Sequence, residues 1–234
     1  MKLCIDTFNE EILEEVLTSG LIHGLTMNPL VMAEEGRTDY LERVQRMSAR
    51  VAGPVLVQVV SRDPERMLEE ARLLAGLGPR IHVKIAFDGA PAAGVIRRLH
   101  DEGIKTAATI VYNALQAYLA AEAGASIVAL FEGGLHGISK NPIAVDRSER
   151  PSIARAARRI VDRHGYSARV LVGAREPIQV VEAALAGAHL CTVKLPVFRD
   201  LFHDHETAFR IGAFTDAWRG VYGDRDWIDR PAGR

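Results

Sequence analysis

What this chain of 234 residues lacks narrows the field first. It has only two cysteines, Cys4 and Cys191, each within an apolar run. That is too few for a disulfide scaffold, so two buried free thiols in a reducing compartment are expected. No apolar stretch reaches the ~20 residues that a membrane-spanning helix requires. The start, MKLCIDTFNEE, turns acidic at once and has no signal-peptide core, which makes the cytoplasm the expected location. Neither charge dominates: 29 basic and 30 acidic residues leave a formal net charge of −1. That balance gives no electrostatic basis for binding nucleic acid or an acidic partner. No repeat, low-complexity tract or linker divides the chain, and no GxGxxG follows the first strand-like run.

Lysine is scarce as well. Lys2, Lys84, Lys105, Lys140 and Lys194 are the whole set, and arginine supplies the remaining positive charge. Lys84 in IHVKIAF (81–87) and Lys194 in HLCTVK (189–194) sit inside apolar, strand-like segments. Burying an unpaired ammonium costs several kcal/mol unless it gives up its proton. A desolvated lysine becomes a nucleophile, which arginine does not. On pattern alone Lys84 has two readings: a strand-end side chain that snorkels to solvent, or an amine wanted in its neutral form. Lys194 stands equally between a surface-reaching strand end and a site role.

What the chain does have is alternation. Strand-like runs recur at 2–6, 22–26, 54–60, 81–87, 104–110, 126–131, 169–174 and 189–194. Most are too continuously apolar for a sheet with one wet face, which suits parallel strands covered on both sides. Helical signals separate them. Ile12, Leu13, Val16 and Leu17 make one apolar face; Asp63 caps a helix opened by Pro64 and stopped at Gly76 or Gly78; Pro177 and Gly187 repeat that device. Strand-then-helix taken eight times at this length predicts a single (β/α)₈ barrel, with a doubly wound open sheet as the alternative. A short helix near 196–202 and an extra amphipathic C-terminal helix over 207–222 follow the last strand. The expected domain is therefore 1–222, with a flexible tail at 223–234. The longest irregular piece, EGGLHGISKNPIAVDRSERP (132–151), is expected to shape a site.

In such barrels the active site lies at the C-terminal ends of the strands. Alternation puts His82, Lys84 and Ala86 on one face and Val83, Ile85 and Phe87 on the other. The bulkier face suits the helices, so Lys84 points inward with small Ala86 leaving space above it. Asp6 ends the first strand, Thr26 ends the second, and Asn28 follows with the same parity. Gln58, Thr109 and Phe131 lie late in the third, fifth and sixth strands. Polar groups thus converge around one amine. Plainer readings exist: Asp6 as a helix cap (Thr7 and Asn9 could serve instead), Thr26 and Asn28 as turn residues, Gln58 and Thr109 as internal hydrogen-bond partners. The HDH at 203–205 has metal-like spacing but reads as solvated, so no metal site is expected. His82 fills a lower barrel layer, and His136 falls in the glycine-rich loop beside the site.

Several segments now bear comparison with a known group. KLCIDT, GLTMNP (24–29), VKIAF (83–87), GIKTAATIVYNALQA (103–117), AGASIVALF (123–131), VVEAALAGAHLCTV (180–193) and AWRGVYG together resemble the transaldolase family. In length the chain is most similar to its small fructose-6-phosphate aldolase-like members. The resemblance covers nearly the whole chain. It implies a lyase or transferase of carbohydrate metabolism that uses no metal or organic cofactor and joins a ketose as a Schiff base. It matches Lys84 to the imine-forming lysine and Asp6 to the acid/base carboxylate. Thr26 and Asn28 match groups that bind sugar hydroxyls, and Thr109, with Gln58, matches residues that hold a catalytic water. Gln58 is aldolase-like whereas Phe131 is transaldolase-like, so release against transfer of the donor fragment stays open. The resemblance also implies ring-shaped homo-oligomers in which Phe209, Phe214, Trp218 and Tyr222 pack on a neighbouring subunit.

The departures from the family pattern concern the substrate's tail. Gly134 stands where phosphosugar-binding relatives have arginine, and Ala174 where a serine is expected. Arg175 survives as the basic group, and Lys194 replaces a small or cyclic residue. The expectation is an aldehyde without a terminal phosphate, or an anion held by Arg175 and Lys194 instead. The rival reading is a barrel that binds a metabolite or partner protein without catalysis. Lys84, Asp6, Asn28 and Thr109 weigh against it, because fold stability requires none of them.

Overall fold

The computed structural model describes residues 1–131 and 152–228. The expected site-shaping loop, with Gly134 and His136, lies outside the described residues, as does the tail from 229 onward. Eight parallel strands pair in sequence order: β1 (Lys2–Asp6), β2 (Ile22–Thr26), β3 (Val55–Gln58), β4 (Ile81–Ala86), β5 (Thr106–Val111), β6 (Ile127–Leu130), β7 (Arg169–Gly173) and β8 (Leu190–Val193). β8 returns to pair with β1, so the sheet is a closed barrel and not the open alternative. The third strand stops at Gln58, two residues short of the predicted run, and the fifth starts later and reaches Val111.

The helices begin where their caps dictate. Asn9 accepts the amides of Glu11 and Ile12 and opens α1 (Glu10–Leu17), which releases Asp6 from any capping duty. Between β2 and β3 the chain makes two helices, α2 (Pro29–Glu35) and α3 (Tyr40–Ser48), where one had sufficed in the pattern. Asp63 accepts the Arg66 amide and Pro64 begins α4 (Pro64–Ala75). Then follow α5 (Ala90–Asp101), α6 (Ala114–Glu122), α7 (Ile153–His164), α8 (Pro177–Leu185), α9 (Leu195–Asp200) and α10 (His205–Tyr222).

Inward-facing Cys4, Leu56, Ala107, Ile127, Ala129, Leu171 and Leu190 form one buried cluster that fills the barrel below its mouth. Cys4 and Cys191 are buried free thiols, and burial pushes each up to about 12, so neither is a thiolate at neutral pH. His82 occupies the lower layer as expected. Ser126 donates its only hydroxyl hydrogen to the Thr106 carbonyl (2.6 Å), so His82 Nδ1 must donate to Ser126 Oγ at 2.8 Å. Burial holds this imidazole down at about 4, hence neutral.

Gly24 in β2 is required by a close approach. A Cβ there would lie 2.6 Å from the Pro54 carbonyl oxygen and 2.9 Å from Cys4 Sγ. Gly24→Ala is expected to destabilise the fold by roughly 1–3 kcal/mol through overpacking. A urea titration checks this; an unmoved midpoint would mean that β2 and the Pro54 turn separate freely.

The chain divides into two compact units, Met1–Phe198 and Arg199–Arg234. In the second, α10 has no buried residue. Its Ile211, Phe214, Trp218, Val221 and Tyr222 recur at helical spacing on one stripe, and the Trp218 ring lies 4.3 Å from that of Tyr222. Among the described residues no helix is long and apolar enough to cross a membrane, and no cluster of three side chains could hold a metal.

Candidate active site

The C-terminal ends of the strands surround a cavity of about 730 Å³. The nine residues singled out from the sequence all border it: Asp6, Thr26, Asn28, Gln58, Lys84, Thr109, Phe131, Arg175 and Lys194. Parity explains the first six. Each projects inward from the last three residues of a strand, or from two residues beyond it, above the apolar cluster.

Lys84 stands between Gln58 of β3 and Ala107 of β5 in strand register and is only 5% exposed. The snorkelling reading therefore fails. Burial lowers its affinity for a proton below the usual lysine value of 10.5, while the charge of Asp6 opposes that shift. Its Nζ donates to the Met27 carbonyl oxygen at 3.2 Å, which orients the amine without consuming the lone pair of the neutral form. Ala86, expected to leave space above the lysine, is not among the cavity walls; Ala129 and Gly173 are.

Asp6 sits at the end of β1 and is half-buried. Burial raises its carboxyl above the usual 3.8; a hydrogen bond from Thr26 and the charges of Lys84 and Lys194 pull it back, and Glu34 adds to the rise. Thr26 Oγ1 donates to Asp6 Oδ1 at 2.8 Å and lies 2.7 Å from Thr192 Oγ1. A hydroxyl carries one hydrogen, so Thr192 must be the donor to Thr26. The relay Thr192–Thr26–Asp6 ties one carboxylate oxygen to the barrel wall and leaves the other unconstrained by it.

Asn28 caps α2 with its Oδ1, accepting the amides of Leu30 (3.0 Å) and Val31 (3.1 Å). Its turn role is thus real, and only its NH₂ remains to meet a ligand. Thr109 is fully buried, and its hydroxyl has no hydrogen-bond partner among the described residues. Such an orphan at a cavity wall marks a place for a polar ligand. Phe131 forms part of the rim with Tyr112, their rings 5.9 Å apart and tilted by 52°. At the mouth, exposed Lys194 lies 3.3 and 3.4 Å from the two carboxylate oxygens of Glu34, and Arg175 is exposed.

Among the wall residues that the sequence reading did not place at the site are Thr192, Glu34, Tyr112 and Ile110. Thr192 was within reach, because it shares the inward parity of Leu190 on β8. The other three were not. Ile110 has a left-handed backbone (φ 62°), and the β5–β6 register slips between Ala108 and Val111. This bulge brings Thr109, Ile110 and Tyr112 to one cavity against strict alternation. A β-branched residue held there costs about 1–2 kcal/mol, strain of the kind that gathers at working sites.

Comparison with known proteins agrees with this geometry. The family model described as Transaldolase/Fructose-6-phosphate aldolase matches residues 3–221. A protein of Alkaliphilus metalliredigens named "Probable transaldolase" is 36% identical over 222 residues, covering 94% of this chain and 99% of its own. Proteins of the same name from Hydrogenobaculum sp. and Aquifex aeolicus are each 35% identical over 94% of this chain and 98% of theirs. By a match over nearly the whole chain, closed barrel and kinship alike, the chain belongs to the transaldolase/fructose-6-phosphate aldolase family of enzymes, which cleave carbon–carbon bonds in sugars.

Proposed function

We propose that this protein is a class I aldolase or transaldolase-like enzyme of the cytoplasm, with Lys84 as its Schiff-base nucleophile. The observation that carries the proposal is a buried amine, whose affinity for a proton its surroundings lower, across one cavity from a half-buried carboxyl whose affinity they raise. Each group alone would be expelled from such a site or neutralised. Together they can share one proton, which is what imine chemistry needs.

The amine lone pair attacks the ketose carbonyl, and protonated Asp6 supplies the acid that helps water depart. The product is a protonated imine and an ionised Asp6. That carboxylate then takes the proton from the hydroxyl on the carbon beyond the scissile bond. The bond breaks, an aldehyde leaves, and the electron pair settles into a three-carbon enamine through the imine. Protonation and hydrolysis release a dihydroxyacetone-type product; attack on a second aldehyde transfers the fragment instead. Thr109 and Gln58 position the water of imine formation and hydrolysis. Thr26 and the Asn28 NH₂ bind substrate hydroxyls, and Phe131 bounds the acceptor side. Arg175 and Lys194 border the substrate tail, where the acceptor is non-phosphorylated. The exposed aromatic stripe on α10 supports a homo-oligomer.

Borohydride reduction in the presence of dihydroxyacetone, followed by intact-mass and peptide analysis, tests this. The expected result is one reduced adduct, located on Lys84. An unmodified protein, or an adduct on another lysine, would remove the basis of the proposal.

A further inference from the structure

We propose that Glu34 and Lys194 form a specificity pair that selects against aldehydes bearing a terminal anion. This inference rests on the Schiff-base reading and names the substrate class of the same site. Glu34 comes from α2 and Lys194 from the end of β8, and both border the cavity that holds Lys84. The Lys194 amine meets both oxygens of Glu34, so its charge is already answered. A terminal phosphate entering this corner would have to draw Lys194 away and then lie beside the freed carboxylate. Like charges at such separation repel, and repulsion against the wrong partner is a recognised source of specificity. A hydroxylated, uncharged tail meets no such opposition. It can accept from Lys194 and donate to Glu34, replacing water at both. The pair's charges also reach the site's chemistry, since Asp6 responds to both in opposite directions.

The test is the ratio of kcat/KM for glyceraldehyde 3-phosphate over glyceraldehyde as acceptor, with dihydroxyacetone as donor. It is measured on the wild-type protein, Glu34→Gln and Lys194→Met. Arg175 stays in place throughout, so its attraction for an anion cancels in the comparison. Removing the carboxylate is expected to raise the ratio about five-fold, and removing the amine to lower it about five-fold, the size typical of one partly exposed charge. Both side chains are largely exposed, so neither variant threatens the fold. Any pattern other than these opposed shifts overturns the inference. Borohydride trapping of each protein is read in parallel. A wild-type protein that forms no adduct on Lys84 defeats the Schiff-base reading itself, and this inference with it, which is a different failure from an unmoved ratio.

Discussion

Lys84→Met should lose carbon–carbon bond cleavage by about 10⁴-fold or more, as removal of a covalent nucleophile does elsewhere. Methionine nearly matches lysine in volume, so the barrel interior should close over it without a cavity. The same variant should be more stable than the wild-type protein at neutral pH, because the buried amine is a liability to the fold. The sign follows from linkage. The folded state lowers the lysine's proton affinity below its usual 10.5, so the unfolded chain binds more protons across that interval. The penalty is complete below the lowered value and fades as pH rises toward 10.5. The stability gap between the two proteins should therefore narrow with rising pH, read from urea midpoints at neutrality and in alkali. A gap indifferent to pH would mean that the amine keeps its proton in the fold, and an active Lys84→Met protein would end the imine mechanism.

What the sequence disclosed of this site follows from the two-residue period of strands. Asp6, Gln58, Lys84 and Thr109 could be placed on one inner surface because β1, β3, β4 and β5 alternate faithfully up to those residues. Thr192 obeys the same rule and could have been named. Beyond the strand ends the rule stops. Tyr112 reaches the cavity only because the chain bulges at Ile110, and no glycine signals that left-handed turn. Glu34 arrives from the far end of α2, a position set by how that helix lies over the barrel and not by any local pattern. The space above Lys84 was assigned to Ala86 from its own strand, whereas the walls come from β6 and β7 across the barrel. Local periodicity thus predicts which side chains face inward, and tertiary closure decides which of them meet.

Asp6→Asn should separate the two halves of the chemistry. The amide keeps an acceptor for Thr26, so the relay from Thr192 survives, but it can neither give nor take the catalytic proton. Cleavage should fall by about 10²–10⁴-fold, the usual share of a positioned acid/base group. Adduct formation at Lys84 should slow, because the amide cannot supply the acid for loss of water, but by far less than cleavage, since solvent can give that proton. Its pH dependence should move to lower pH. Asp6 is the charge that raises the lysine's proton affinity, so without it the amine is neutral further into the acid range. Stability should change as well. The Asp6 carboxyl is raised above 3.8 by burial, so its cost appears as pH climbs through that raised value and is absent below 3.8. Asp6→Asn should accordingly be the more stable protein at neutral pH, with the difference closing in acid. If trapping instead fell as far as cleavage, loss of the imine would account for the whole effect, and the group that deprotonates the departing hydroxyl would have to be sought elsewhere on the cavity wall.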